Sequence, residues 1–486
     1  MKKIKYFIGI GLSVTLLSLS CTKNFSELNT DPNTSEKVLA ENLLARALVK
    51  TVENNMNRSR TITNELMQVT VNTLVETDRI FRYDIRRNIP EAPWNSWYAQ
   101  LTNFKDIYKF AKENNADENN SKTYMAISLI CQAWVSSIIT DTFGDVPYSE
   151  ANMGKEGIYA PKFDLQKDIY ADIFAKLEEA NTLLKTTTKN VNSISDPVYK
   201  GNVALWRKFG NSLYLRLLMR VSGKAEVAAN AVAKIKEMVD QNPANYPLIN
   251  SNDESAILKW TGVPPYNSPF ANMQNSDWRY PKACSFFADK LDFSNDPCTS
   301  KWLTTYNGSY EGIPSGYTYG ETPETRSYLQ YLTTEPLLGN MLNYAEVQLL
   351  LAEAAIKGWV TAKTPKEYYE AGATARITLW GRSVGSYLSG TLIAWNDADA
   401  IQDKMEKIHW QKYLALFYTD MQVWIEYRRT GHPVLPKGPG LRNNGMMPNR
   451  LYYPVSLQAT NVTNYNKALA IQGPDDLDSM SWWQKP

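Results

Sequence analysis

The sequence predicts an all-α protein: a scaffold of helical hairpins carrying one loop-rich aromatic region. Three observations lead there. Apolar residues recur at helical spacing over most of the chain, with few alternating β-branched stretches. Short turns containing Gly or Asn join several of these segments. Residues 260–319 break the pattern, with 13 aromatic residues and six prolines in 60 positions.

The chain begins with Lys2, Lys3 and Lys5, followed by an apolar run of 14 residues from Tyr6 to Leu19, then Ser20 and Cys21. A membrane-spanning helix needs roughly 20 apolar residues. A basic start, a short apolar run and an abrupt polar sequence (TKNFSELNTDPN) instead mark a cleaved export signal over residues 1–20. A cysteine directly after LSLS is the bacterial lipoprotein pattern, with Cys21 as the lipidated residue. Several acyl chains, at about 0.8 kcal/mol per buried CH₂, hold a folded body on a membrane.

Residues 21–486 read as one unit with three parts: a helical scaffold over about 38–245 and 336–430, a loop-rich region over about 246–335, and a C-terminal tail over 431–486. The periodicity predicts helices over 43–56, 97–114, 122–140, 165–184, 204–221, 225–240, 339–357, 365–380 and 398–429. Asp164 is placed to cap the helix beginning LQKDIYADIF. The pair NYAEVQLLLAEAAIKG and TPKEYYEAGATARITLWG forms a hairpin. Ala352, Ala355, Ala371 and Ala375 allow close approach, and Gly358 ends the first helix. This resembles a tetratricopeptide-type hairpin of about 34 residues, in degenerate rather than strict repetition.

The aromatic load, 14 Trp, 29 Tyr and 14 Phe, concentrates in the loop region and in FRYDIRRNIPEAPWNSWY at 81–98. Flat rings stack on the apolar faces of sugars while neighbouring Asn, Asp and Arg hydrogen-bond their hydroxyls. The candidate ligand-binding rings are Tyr83, Trp94, Trp278, Tyr280, Trp302, Tyr306, Tyr310, Tyr317 and Tyr319. Trp97 and Tyr98 begin a helix and read as core. In an oxidising setting Cys284 and Cys298 are a candidate disulfide, worth about 3 kcal/mol for a loop of that length; Cys131, in an apolar helix, reads as a buried thiol.

Composition and motifs weigh against several functions. Lys+Arg 52 against Asp+Glu 50 is too balanced for a nucleic-acid binder. His409 and His432, the two histidines, are too few for a His-rich metal site, and no cofactor motif appears. GRSVG at 381–385 matches a serine-hydrolase string but follows a helix, where the mechanism needs a strand-to-helix elbow; Gly381 reads as the helix stop. Asp141 and Asp145 lack calcium-loop spacing and read as capping or turn residues.

Taken in order, the strings CTKNFSELNTDPN, ITDTFGDVPYSEA, PKFDLQKDIYADIFAKLEEA, WRKFGNSLYLRLLMRVSG, WQKYLALFYTDMQVWIEYRRTGHPVL, NRLYYPVSLQATNVTNYNKALA and IQGPDDLDSMSWW resemble the SusD/RagB family of Bacteroidetes outer-membrane lipoproteins over nearly the whole mature chain. The resemblance implies a non-catalytic capture subunit, lipid-anchored at Cys21. Such a subunit sits over a SusC-like TonB-dependent β-barrel transporter and delivers oligosaccharides or, in some members, peptides. Ligand residues vary within the family and none carries over. A surface glycoside hydrolase is the reading from a different class.

Overall fold

The computed structural model describes residues 39–73, 80–114, 117–187, 189–324 and 326–485. The signal segment 1–20 and Cys21 lie outside the described residues.

The periodic segments fold as helices: Ala40–Arg58, Glu91–Glu113, Glu118–Phe143, Gln166–Thr186, Val203–Val221, Ala225–Lys236, Tyr344–Ile356 and Pro365–Leu379. Their starts are fixed chemically. Asp117, Asn202 and Asn343 each accept the backbone N–H three residues on, and Thr364 and Glu367 form a capping box with Pro365 in the first turn. Glu118–Phe143 is long and apolar enough to cross a membrane, yet 94% of its most apolar window is buried inside the protein; it is the central core helix. Successive long helices pack against one another as neighbours, the tetratricopeptide-like arrangement.

In the hairpin Tyr344–Leu379 the first helix stops at Gly358, whose φ of +71° favours glycine. Closest approach falls at Gly372, where a Cβ would lie 2.7 Å from Leu349 Cγ. The alanines flank this contact.

Three expectations change. Asp164 does not cap the following helix; Leu165 occupies that position. Asp164 pairs with Val146 in a two-residue strand, and its carboxylate accepts the N–H groups of Tyr148 and Ser149 at 3.1 and 2.7 Å. The segment 398–429 is two helices, Ile401–Ala415 and Gln422–Thr430. Tyr418 and Asp420, at φ +61° and +37°, break it, and the Asp420 carbonyl accepts both Ser59 Oγ and Thr63 Oγ1 at 2.9 Å. Tertiary hydrogen bonds thus override helical periodicity. The region 260–319 contains the short helices Asn275–Arg279, Ser285–Phe293 and Thr299–Trp302, each below the 11–18-residue window in which periodicity is read. Its strand Pro281–Ala283 pairs antiparallel with Thr70–Asn72, tying the loop region to the segment that follows the first helix.

The expected disulfide does not form: Cys284 and Cys298 are free and buried. Cys284 immediately precedes the helix Ser285–Phe293, and Cys298 immediately precedes the next one, Thr299–Trp302. The chain after the helix turns back at its far end, where the Asp296 N–H and Thr299 Oγ1 both donate to the Leu291 carbonyl, at 2.9 and 3.4 Å, so Cys298 is held beside the last turn and Cys284 at the first. Each thiol is pushed up to about 12, chiefly by burial.

The C-terminal segment packs back onto the scaffold. Leu451 N–H donates to the Thr142 carbonyl at 2.9 Å, the Tyr453 hydroxyl donates to the Asp145 carbonyl, and Arg87 pairs with Asp475 at 2.7 Å.

Candidate functional site

Large rings satisfy either a core or a binding surface, and burial separates the two. Trp302 is 0% exposed, stacked on Phe287 at 6.2 Å and edge-on to Trp380 at 5.3 Å. Trp278 is buried with its indole N–H donating to the Gln330 carbonyl at 2.8 Å. Trp94 is buried edge-on to Phe143 at 5.0 Å, and Tyr83 and Tyr317 are buried too. These five expected ligand rings are packing residues, because no ring face is left for a sugar. Composition cannot distinguish the two uses of tryptophan. Tyr306 and Tyr310 are half-buried, whereas Tyr280 and Tyr319 are 38% and 53% exposed. Trp97 is core, as expected, donating to Asn55 Oδ1 at 2.9 Å. Replacing Trp302 by phenylalanine is therefore expected to lower stability by about 1–3 kcal/mol and leave ligand affinity within twofold. Calorimetry and titration of one preparation check this; lost affinity at unchanged stability would return the ring to the site.

The two aromatic clusters meet at one cleft of about 400 Å³. It is lined by Arg82 and Asp84 from the first cluster, Thr318 and Tyr319 from the second, and the segment Pro439–Arg442. Backbone hydrogen bonds hold the three segments together: Arg442 N–H to the Arg82 carbonyl and Gly440 N–H to the Gly316 carbonyl, both at 2.7 Å. Ser315 Oγ adds a bond to the Phe81 carbonyl at 3.1 Å. Two glycines make the approach possible. A Cβ on Gly438 would sit 2.3 Å from the Gly316 carbonyl oxygen, and one on Gly440 2.2 Å from that of Tyr317. Tyr83 holds a φ of +61°, a conformation that costs about 1–3 kcal/mol in a non-glycine residue and concentrates at ligand sites.

The buried Arg82 guanidinium lies against three rings, 4.8 Å from Tyr317, 5.1 Å from Phe81 and 5.6 Å from Tyr319. These cation–π contacts fix the Tyr319 ring at the cleft with part of its surface in solvent. Around it stand the Asp84 carboxylate, the exposed Arg442 guanidinium and the Thr318 hydroxyl. A flat apolar ring rimmed by hydrogen-bonding groups can stack on and orient a polyhydroxylated ligand. Arg82, Asp84 and Pro439–Arg442 were not among the expected residues; the string PKGPG at 436–440, dense in backbone punctuation, is the signal that points to them.

Elsewhere Glu353, His409 and Glu426 bring ligand atoms within 4.8 Å of one another, a metal-like spacing. They do not fit a metal. Lys412 Nζ stands 3.2 Å from Glu353 and 2.7 Å from Glu426, and Arg429 forks onto Glu353, so the cation's place is taken by side chains. Ser383 of GRSVG is exposed in a loop after Pro365–Leu379, without the strand of a nucleophile elbow; Gly381, at φ +67°, ends that helix.

The family model described as "Starch-binding associating with outer membrane" (SusD-like) matches residues 32–454. Among solved structures, a chitin-binding protein is 26% identical with a TM-score of 0.77, covering 92% of this chain and 99% of its own. A SusD homologue from Bacteroides fragilis NCTC 9343 is 25% identical with a TM-score of 0.80, covering 92% and 100%. A chitin-binding SusD homologue from Flavobacterium johnsoniae, 21% identical with a TM-score of 0.79, covers 92% and 98% and shares the fold. None of the curated proteins matches the sequence. With most of its length matched and its helical hairpins in the same arrangement, the chain belongs to the SusD-like family.

Proposed function

We propose that this protein is a non-catalytic capture lipoprotein of the outer membrane, anchored at Cys21, which binds oligosaccharides and passes them to a SusC-like TonB-dependent transporter. The observation that carries the reading is the cleft at Tyr319, where one partly exposed ring is braced by Arg82 and rimmed by Asp84, Thr318 and Arg442. Binding of starch and chitin by relatives supports a glycan as the ligand class. Among the described residues the cleft brings together one ring, hydrogen-bonding groups and a single carboxylate, Asp84, the parts needed to hold a sugar.

Stacking on an aromatic ring contributes at most about 1–3 kcal/mol per planar face. One stack with a few hydroxyl hydrogen bonds gives reversible binding on the order of micromolar to millimolar, suited to a protein that hands its ligand on. Isothermal titration of the mature protein against starch, chitin and other oligosaccharides should find a saturable ligand. Tyr319→Ala should then weaken it roughly 5- to 150-fold with the melting temperature unchanged. Unaltered affinity in that variant would remove the cleft from the site. Saturable binding of peptides with none of sugars would change the ligand class.

A further inference from the structure

The first helix does not end cleanly at Arg58. It continues through a π-turn, Ser59–Thr63, in the sequence SRTIT. Such insertions disturb helical hydrogen bonding and concentrate at functional sites. Here Ser59 and Thr63 point inward to the Asp420 carbonyl. Arg58, just before this turn, and Arg60 and Thr61 within it line a second cleft of about 400 Å³ together with Asn88 and Ile89.

Among the described residues, the charge lining this cleft is unbalanced. The Arg58 side chain is half-buried and, among the described residues, makes no hydrogen bond or ion pair; its Nε is fully enclosed without an acceptor. Burial alone pulls it below the ordinary guanidinium range. Arg60 is positioned rather than neutralised: one Nη donates to the Asp277 carbonyl at 2.8 Å while the guanidinium lies 5.5 Å from the Trp278 ring. Glu65 also lines the cleft, and its carboxylate accepts the Phe81 N–H at 3.2 Å, engaging the turn Ile80–Arg82. Among the described residues, two guanidinium groups thus share this cleft with one engaged carboxylate. A desolvated cation without a partner is unfavourable in the free protein, and a planar fork of donors matches a carboxylate in two-point geometry.

We propose that this cleft is an anion subsite that clamps a carboxylate between Arg58 and Arg60. It is separate from the Tyr319 cleft: the turn Ile80–Arg82 divides them, with Ile80 lining one and Arg82 the other. A sugar acid and the carboxyl terminus of a peptide present the same group, so the two are told apart by titration.

The mature protein would be titrated with sodium D-glucuronate, with N-acetylglycine and with glucose as the neutral control. Saturable binding of one or both carboxylates is expected, weakened by added salt and reduced tenfold or more in Arg58→Gln. Tyr319→Ala should leave it unchanged, which separates this subsite from the glycan cleft. Preference for glucuronate identifies a sugar acid, preference for N-acetylglycine a peptide terminus, and equal binding a general carboxylate clamp. Because Arg58→Gln removes an unpartnered charge, its melting temperature should equal or exceed that of the wild type. Absence of carboxylate binding, full retention of binding in Arg58→Gln, or a lowered melting temperature in that variant would overturn the proposal. Arg60→Gln gives an independent check on the second arm of the clamp.

Discussion

Replacing Asp141 by alanine is expected to cost about 5 kcal/mol of stability or more, enough to unfold a chain of ordinary stability. Asp141 is buried at the end of the core helix Glu118–Phe143 and is shared by three parts of the protein. Its carboxylate pairs with Arg220 at 2.5 Å, accepts the Tyr170 hydroxyl at 2.8 Å and accepts the Trp483 indole N–H at 2.8 Å. Its carbonyl accepts Arg428 Nη2 at 2.6 Å. Burial works against the Arg220 charge, but Asp141 outweighs it and holds the guanidinium above its usual range. Without the carboxylate, Arg220 keeps its Gln422 contact but loses its counter-charge, and Tyr170 and Trp483 each lose a buried acceptor. Breaking a buried pair costs about 3–5 kcal/mol, and each stranded donor about 1–3 more. Denaturant unfolding monitored by tryptophan fluorescence measures this. A loss below about 1 kcal/mol would mean that the ion pair contributes little beyond its own desolvation.

That arrangement explains which parts of the sequence were legible. The strings that carried the family resemblance, TDTFGDVPYSEA and the closing WW, are the two ends of one buried contact. Trp483 reaches Asp141, Trp482 N–H donates to Gln166 Oε1 at 2.7 Å, and Asp145 Oδ1 accepts the Gln166 N–H at 2.7 Å. The acids of the first string read as caps, because a sequence does not show that a partner lies some 340 residues away. The long helices were legible because their apolar spacing and caps are local. The break at Leu416–Met421 was not, since it depends on Ser59 and Thr63 bonding Asp420 across the fold. The candidate site was half legible. Both aromatic clusters pointed to it, yet the contacting residues are one tyrosine and charged neighbours, while the tryptophans went to the core. Arg82 escaped notice because its role depends on Tyr317 and Tyr319, from a segment more than 230 residues away, closing around it beside its neighbour Phe81.

The second large effect belongs to Glu353, which is fully buried and receives Arg429 Nη1 and Nη2 at 2.7 and 2.5 Å, Lys412 at 3.2 Å and Lys357 at 2.8 Å. Glu426 shares Lys412 and Arg429, so two buried carboxylates balance two buried cations. The adjacent His409 stays neutral, since burial pushes it well below the ordinary imidazole value. Glu353→Gln keeps the shape and removes one charge, leaving the buried cluster a net cation; the expected loss near neutral pH is about 3–5 kcal/mol. The pH dependence follows in sign. Burial pushes both carboxyls up, but Arg429 and Lys412 outweigh it and hold each below its usual value. Groups depressed in the folded state bind protons more readily when unfolded. Their stabilisation is therefore complete above the unfolded value of about 4.3 and is lost as pH falls below it. Glu353→Gln should show a shallower decline in stability below that pH than the wild type. Restoring neutrality in Glu353→Gln/Lys412→Met should recover most of the loss. A double variant no more stable than the single would show that hydrogen-bond geometry, rather than charge balance, holds this part of the core together.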